Sequence, residues 1–146
     1  TKEEGVAILK RFKESNPLQR IEPVASKEEI IAAQNLYTKV HVSDEMYGYI
    51  IDIVEATRNN DNIALGVSPR GSQALLKAVQ VYAVLQGRDY VIPDDVQAMV
   101  KPVLGHRIIL AQKMRMKDDQ IGKVLDEILS QVPVPSEKIA AQKGTE

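Results

Sequence analysis

Gly66-Val67-Ser68-Pro69-Arg70-Gly71-Ser72-Gln73-Ala74-Leu75-Leu76, continuing in apolar character to Leu85, is the stretch around which the chain is arranged. Ser68 suits a helix N-cap and Pro69 the first helical position, where a missing N–H costs nothing and the fixed φ is already helical. Between Ala74 and Leu85 only Lys77 and Gln80 interrupt the apolar run. The run predicts a long helix, enclosed on most sides by others, that serves as the hub of a bundle. Arg70 falls on its first turn, where four backbone N–H groups lack intrahelical partners and an anion is favoured. Two readings of Arg70 stay open at this level: an ordinary helix start, or a guanidinium that meets a phosphate.

Downstream, Gly87 is placed to stop this helix. Arg88-Asp89-Tyr90-Val91-Ile92 reads as extended, and Pro93-Asp94-Asp95 opens a further helix with acids in its first turn, limited by Pro102 and Gly105. Ile108-Ile109-Leu110 is a strand candidate whose pairing, near Val40-His41-Val42 or near Tyr90-Val91-Ile92, pattern alone does not decide. Asp118-Asp119 lead into a last helix carrying Ile121, Val124, Leu125, Ile128 and Leu129 on one side, and Val132-Pro133-Val134-Pro135 halts it.

Upstream, Thr1-Lys2-Glu3-Glu4 and Ser26-Lys27-Glu28-Glu29 both have the Ser/Thr-x-x-Glu form of a capping box. The first predicts a helix ending at Asn16-Pro17, with Val6, Ile8, Leu9 and Phe12 as its apolar stripe. The second predicts a helix to about Thr38. Ile21 to Ala25 connects them in extended form, because Pro23 disfavours α geometry at Glu22. Ser43-Asp44-Glu45 caps a third helix to about Arg58, with Met46, Tyr47, Ile50, Ile51, Ile53 and Val54 buried, and a loop follows to Val67. The fold class is therefore mainly α, a helical bundle with two or three very short strands.

With 146 residues, 44% of them hydrophobic, the chain is long enough for a well-buried core, and with only 4% aromatics that core is aliphatic. Nineteen Lys and Arg against 20 Asp and Glu leave a net charge of −1, which supplies no field for drawing nucleic acid or an anionic membrane. No run approaches the roughly 20 apolar residues that span a bilayer, and no signal-peptide pattern is visible. A soluble, cytoplasmic protein is expected. The absence of cysteine excludes disulfides, thiolate metal sites and a cysteine nucleophile. A beginning at Thr1, directly in a helical pattern, suggests an excised or processed piece of something longer.

No self-sufficient active site is visible. Gly66 and Gly71 have the spacing of a phosphate-binding P-loop, yet Ser72-Gln73 stand where Lys-Ser/Thr is needed, and Pro69 removes a donor from the cradle. This excludes a Walker A site, and a hydrophobic strand ending in Asp-Glu, the Walker B element, is missing too. His41 and His106 have no neighbouring His or Cys, so no metal site is expected. Adjacent carboxylates at Asp94-Asp95 and Asp118-Asp119 point about 100° apart on a helix and read as helix-start residues. No catalytic residue is assigned.

Three blocks in order, Gly66 to Leu76, Gly87-Arg88-Asp89-Tyr90-Val91-Ile92-Pro93-Asp94-Asp95-Val96 and Pro102-Val103-Leu104-Gly105-His106-Arg107-Ile108, resemble the C-terminal lid of MoxR-type AAA+ ATPases. The likeness is closest from Val40 to Leu110 and looser from Ile8 to Thr38. It implies connecting helices over 1–38 that lead out of an AAA+ core, a helical lid over 39–132 and a tail over 133–146. It also implies that Arg70 is the sensor-2 arginine, facing the γ-phosphate of ATP held by that core. A guanidinium suits this role through permanent charge and a planar fork of donors. ATP and magnesium belong to the intact parent, an ATPase; the chain alone is not expected to be an enzyme or to hold a cofactor. By the same resemblance the partners are the AAA+ core of the same polypeptide, further copies in a ring, and a von Willebrand A-domain protein as client of a chaperone-like remodelling activity. At Gly71 alanine is the more helix-favouring residue, so this glycine is expected to loosen the first turn.

A different class of function is a stand-alone helical adaptor. Five Lys or Arg and no acid lie between Lys101 and Lys117, a basic surface for protein or DNA. The near-neutral total charge disfavours the nucleic-acid version.

Overall fold

The computed structural model describes residues 1–14, 21–112 and 120–135. The chain divides into two compact units, Thr1–Gln34 and Asn35–Glu146. The ends expected at Asn16-Pro17, the Asp118-Asp119 helix start and most of the tail lie outside the described residues.

The first unit holds α1 (Lys2–Glu14) and α2 (Lys27–Gln34). Both begin as their capping boxes predict. Glu4 N–H donates to Thr1 Oγ1 at 3.3 Å while Thr1 N donates to Glu4 Oε2 at 2.7 Å. Glu29 N–H donates to Ser26 Oγ at 3.1 Å and Ser26 N–H to Glu29 Oε2 at 2.7 Å. The Ser26 backbone N–H, and after it the Ser26 side chain, hold the Glu29 carboxyl below the usual glutamate range. Residues 1–13 and 21–34 of this unit are exposed, the apolar Val6, Ile8, Leu9, Phe12, Ile30 and Ile31 included.

The second unit contains the core. A single 3₁₀ turn, Leu36–Lys39, where α2 was expected to continue, leads to α3 (Asp44–Arg58), whose first turn Ser43 caps by accepting from Met46 N–H at 3.4 Å. Met46, Tyr49, Ile50, Ile53, Val54 and Thr57 form the buried face of α3. Tyr47 and Ile51, expected inside, lie exposed, because the 3.6-residue period turns them away once positions 46, 50, 53 and 57 face the core. β1 (Ile63–Leu65) lies within the segment expected as a loop and pairs antiparallel with β2 (Ile109–Leu110). Ile63 stands opposite Leu110 and Leu65 opposite Ile109. Neither sequence-suggested partner of β2 is used. Val40 to Val42 and Tyr90 to Ile92 instead meet each other, in a parallel bridge between His41 and Tyr90.

α4 (Pro69–Leu85) packs against α3, the 3₁₀ turn and α5 (Pro93–Leu104), so it is the hub. It buries one stripe, Gly71, Leu75, Val79 and Ala83, rather than most of its circumference; Val81 and Leu85 face out. Its end is a Schellman motif around Gly87 at φ 74°, with Arg88 N–H on Ala83 O and Gly87 N–H on Val84 O, each 2.9 Å. Pro102 does not stop α5, which continues two residues beyond it before a 3₁₀ turn at Gly105–Arg107. α6 (Gln120–Gln131) closes the core with Val124, Leu125 and Ile128.

Between α4 and α5 a buried ion pair fixes the connection. Asp95, 1% exposed, accepts from Arg88 Nη1 at 2.7 Å and also from Nη2. Asp95 further takes Ile92 N–H at 2.9 Å, the carboxylate half of a capping box for α5. Its neighbour Asp94 remains exposed on the first turn, so the two acids divide between a surface role and a buried one.

Candidate functional site

The approach to α4 is held from α3. The buried hydroxyl of Thr57 donates to Val54 O at 2.6 Å and accepts Val67 N–H at 3.0 Å. Arg58 Nε donates to Val67 O at 2.8 Å. Both polar groups of Val67 are thus committed to the last turn of α3. Gly66 makes this approach possible, because a Cβ there would lie 2.7 Å from Arg58 Cα and 2.8 Å from Arg58 N. The Val67 side chain, 1% exposed, lies over the first turn of α4, where a Cβ on Gly71 would come within 2.3 Å of Val67 Cγ1. Gly71 is therefore a close-packing residue. The turn that it was expected to loosen is pressed against a fixed loop.

Three residues after Val67, Arg70 is exposed in the first turn of α4 and its side chain makes no hydrogen bond or ion pair with any described residue. Ser68 occupies the N-cap with φ −74° and ψ 164°, but its hydroxyl makes no capping bond. The first turn contains no acid. Arg107 runs alongside: its Cδ would be 3.6 Å from a Cβ at Gly71, and its Nε is bonded to Val103 O at 2.9 Å. A fixed backbone thus presents a charged, uncommitted donor fork beside a helix start, an arrangement chemically suited to an oxyanion.

The other sequence candidates do not join this site. His41 and His106 are exposed, and among the described residues no group of three His, Cys, Asp or Glu is placed to hold a metal. Lys101, from the basic stretch, is engaged by Asp126 at 2.7 Å, whereas Lys113, Arg115 and Lys117 lie outside the described residues. Thr57 and Arg58 carry no sequence signal beyond their place at the end of α3, and Arg107 stands in the sequence only as part of the third block and of the basic stretch; the contact of all three with the α4 start appears only in three dimensions.

A family model for the AAA lid domain matches residues 55–128, half of the chain and the part containing α4, α5 and β2. The chain belongs to that family, and its relatives make it a MoxR-type AAA+ lid domain. It is 40% identical over 139 residues to the uncharacterized protein YeaC of Bacillus subtilis, covering 95% of this chain and 43% of YeaC. Protein MoxR of Paracoccus denitrificans is 32% identical over 118 residues, 71% of this chain and 35% of that protein. Chaperone MoxR1 of Mycobacterium tuberculosis is 28% identical over 130 residues, 83% and 34% respectively. A crystal structure of a candidate ATPase from Cytophaga hutchinsonii superposes with a TM-score of 0.78 at 26% identity, covering 93% of this chain and 44% of that one. The chain spans less than half the length of each of these relatives.

Proposed function

We propose that this lid supplies Arg70 as the sensor-2 arginine of a nucleotide site whose other half is an AAA+ core in the same polypeptide. The observation that carries the reading is the contrast at the α4 start: a backbone fixed by Val67, and an arginine side chain left uncommitted. ATP, with magnesium held by residues of the core, is the fitting ligand, since Arg70 offers a planar cationic fork to phosphate oxygens. Arg70 breaks no bond; it stabilises charge on the terminal phosphate, and loss of that phosphate removes its contact and frees the lid to rotate. In a cytoplasmic ring of such subunits the rotation drives chaperone-like remodelling of a partner, a von Willebrand A-domain protein by family resemblance.

The division into connecting helices over 1–38, a lid over 39–132 and a tail over 133–146 belongs to the same proposal. The exposed apolar stripe of α1 supports it, because that face needs a covering that the first unit does not itself supply. Arg70→Ala in the complete parent tests the reading. A charge-assisted hydrogen bond contributes about 1.5–3 kcal/mol, so ATP turnover should fall about 10- to 150-fold while the lid stays folded. Unchanged turnover and unchanged nucleotide-dependent assembly would refute the sensor role.

A further inference from the structure

We infer that Arg58 is a positioning residue for Arg70, acting through the backbone of Gly66-Val67-Ser68. The inference rests on the sensor reading of Arg70 and goes beyond it, because Arg58 lies on a different helix, twelve positions earlier in the sequence. Its guanidinium uses Nε alone, on Val67 O at 2.8 Å, and its terminal nitrogens bond no described residue. Its own backbone is the floor on which Gly66 sits: a Cβ on Gly66 would come within 2.7–2.8 Å of Arg58 Cα, Cγ and N. Thr57 next to it accepts the Val67 N–H, from the preceding peptide, at 3.0 Å.

The consequence is mechanical. The two bonds hold the consecutive peptides on either side of Val67 Cα, Gly66–Val67 through its N–H and Val67–Ser68 through its C=O, so both flanks of this residue are tied to α3. The Val67 side chain, wedged against Gly71, carries that constraint into the first turn of α4, where Arg70 is the intervening exposed residue. A fixed approach of this kind lets a guanidinium meet a phosphate without first being ordered, and misplacement of about 1 Å at such a group can cost about 100-fold in rate. Removing the Arg58 bond frees the Val67–Ser68 peptide and leaves the Thr57 bond to the preceding one in place, so a smaller loss is expected.

A double-mutant cycle in the complete parent decides the matter, with ATP turnover as readout: Arg70→Ala, Arg58→Ala, the two combined, and Arg58→Lys. Arg58→Ala should lower kcat about tenfold with little change in KM. In the Arg70→Ala background the same change should have no further effect, since nothing is left to position. Arg58→Lys, which keeps a donor within reach of Val67 O, should recover part of the loss. Losses that multiply in the double variant would mean that Arg58 acts by itself, and would overturn the positioning role while leaving Arg70 its own. Normal turnover in Arg70→Ala would overturn both. Normal turnover in Arg58→Ala alone would overturn only the positioning role. In case Arg58→Ala unsettles the parent, amide hydrogen exchange in the 146-residue chain gives a second arm. Exchange at Val67, Gly71 and Ser72, whose N–H groups are bonded to Thr57 Oγ1 and to Ser68 O, should accelerate several-fold in Arg58→Ala while Val79 and Val100 keep their protection. Uniform acceleration, or none, would overturn the proposal.

Discussion

Replacing Gly71 with alanine opposes a local preference to a tertiary contact, and the structure decides the sign. In a helix interior alanine is favoured over glycine by about 1 kcal/mol. The added Cβ, however, would stand 2.3 Å from Val67 Cγ1, whereas carbon contacts are comfortable from about 3.5 Å, so something must retreat by about 1.2 Å. Val67 cannot swing aside: it is β-branched, 1% exposed, and the peptides on both sides of it are held by Thr57 and Arg58. Overpacking of this kind costs about 1–3 kcal/mol, which leaves a net destabilisation of about 1 kcal/mol after the helix gain is subtracted. Thermal unfolding of the 146-residue chain followed by circular dichroism should show Tm lowered by about 2–4 °C. Val67→Ala alone should cost about 2 kcal/mol through lost methyl burial. Combined with Gly71→Ala it should cost less than the sum, by about 1–2 kcal/mol, because the clash has been removed. A Tm that rises in Gly71→Ala, or strict additivity with Val67→Ala, would refute the close-packing account and restore the purely local one.

Asp95→Ala removes the partner of Arg88 and the acceptor for Ile92 N–H together; since the Arg88 side chain remains 21% exposed and can turn to water, the cost should be about 2–3 kcal/mol, near the lower end for a broken buried pair, with Asp95→Asn milder in urea denaturation. Glu29 has its pKa lowered by its bonds to Ser26, so its contribution to the start of α2 is fully present above its ordinary value of 4.5 and is lost as pH falls through the lower folded value. An NMR titration should find the Glu29 midpoint depressed, and only partly relieved in Ser26→Ala, because the backbone N–H at position 26, the larger cause, is kept. Leu9→Glu with Phe12→Glu should shift the stability of this chain by less than about 0.5 kcal/mol, since neither side chain is buried, yet lower the soluble yield of the complete parent if an AAA+ core covers that face.

The outcomes at α1, α3 and α4 show why some readings transferred and others did not. Capping at Thr1, Ser26 and Ser43 and the stop at Gly87 depend on groups three to five residues apart, so the residue types alone specify the partners. The inward face of α3 depends on the phase of the helix against its neighbours, which its apolar pattern does not specify: Tyr47 and Ile51 face out and Tyr49 faces in. β1 is three residues long and lies within a polar, turn-rich segment; its pairing with β2 joins residues more than forty positions apart, a relation no local pattern encodes.

At the α4 start the division is sharpest. By itself the sequence determined a mainly helical chain, a helix opening at Ser68-Pro69, an arginine on its first turn, and the lack of the lysine that a P-loop requires. Those are matters of residue type, spacing and backbone preference, all local. Only the tertiary structure decided that Val67 is gripped by Thr57 and Arg58, that Gly71 is there for space rather than looseness, that Asp95 is a buried partner of Arg88, and that Arg107 lies beside Arg70's turn. Each of these is a meeting between elements distant in the chain. It exists because packing α3 against α4 satisfies buried polar groups and fills volume, quantities that belong to the folded arrangement and to no single segment of sequence.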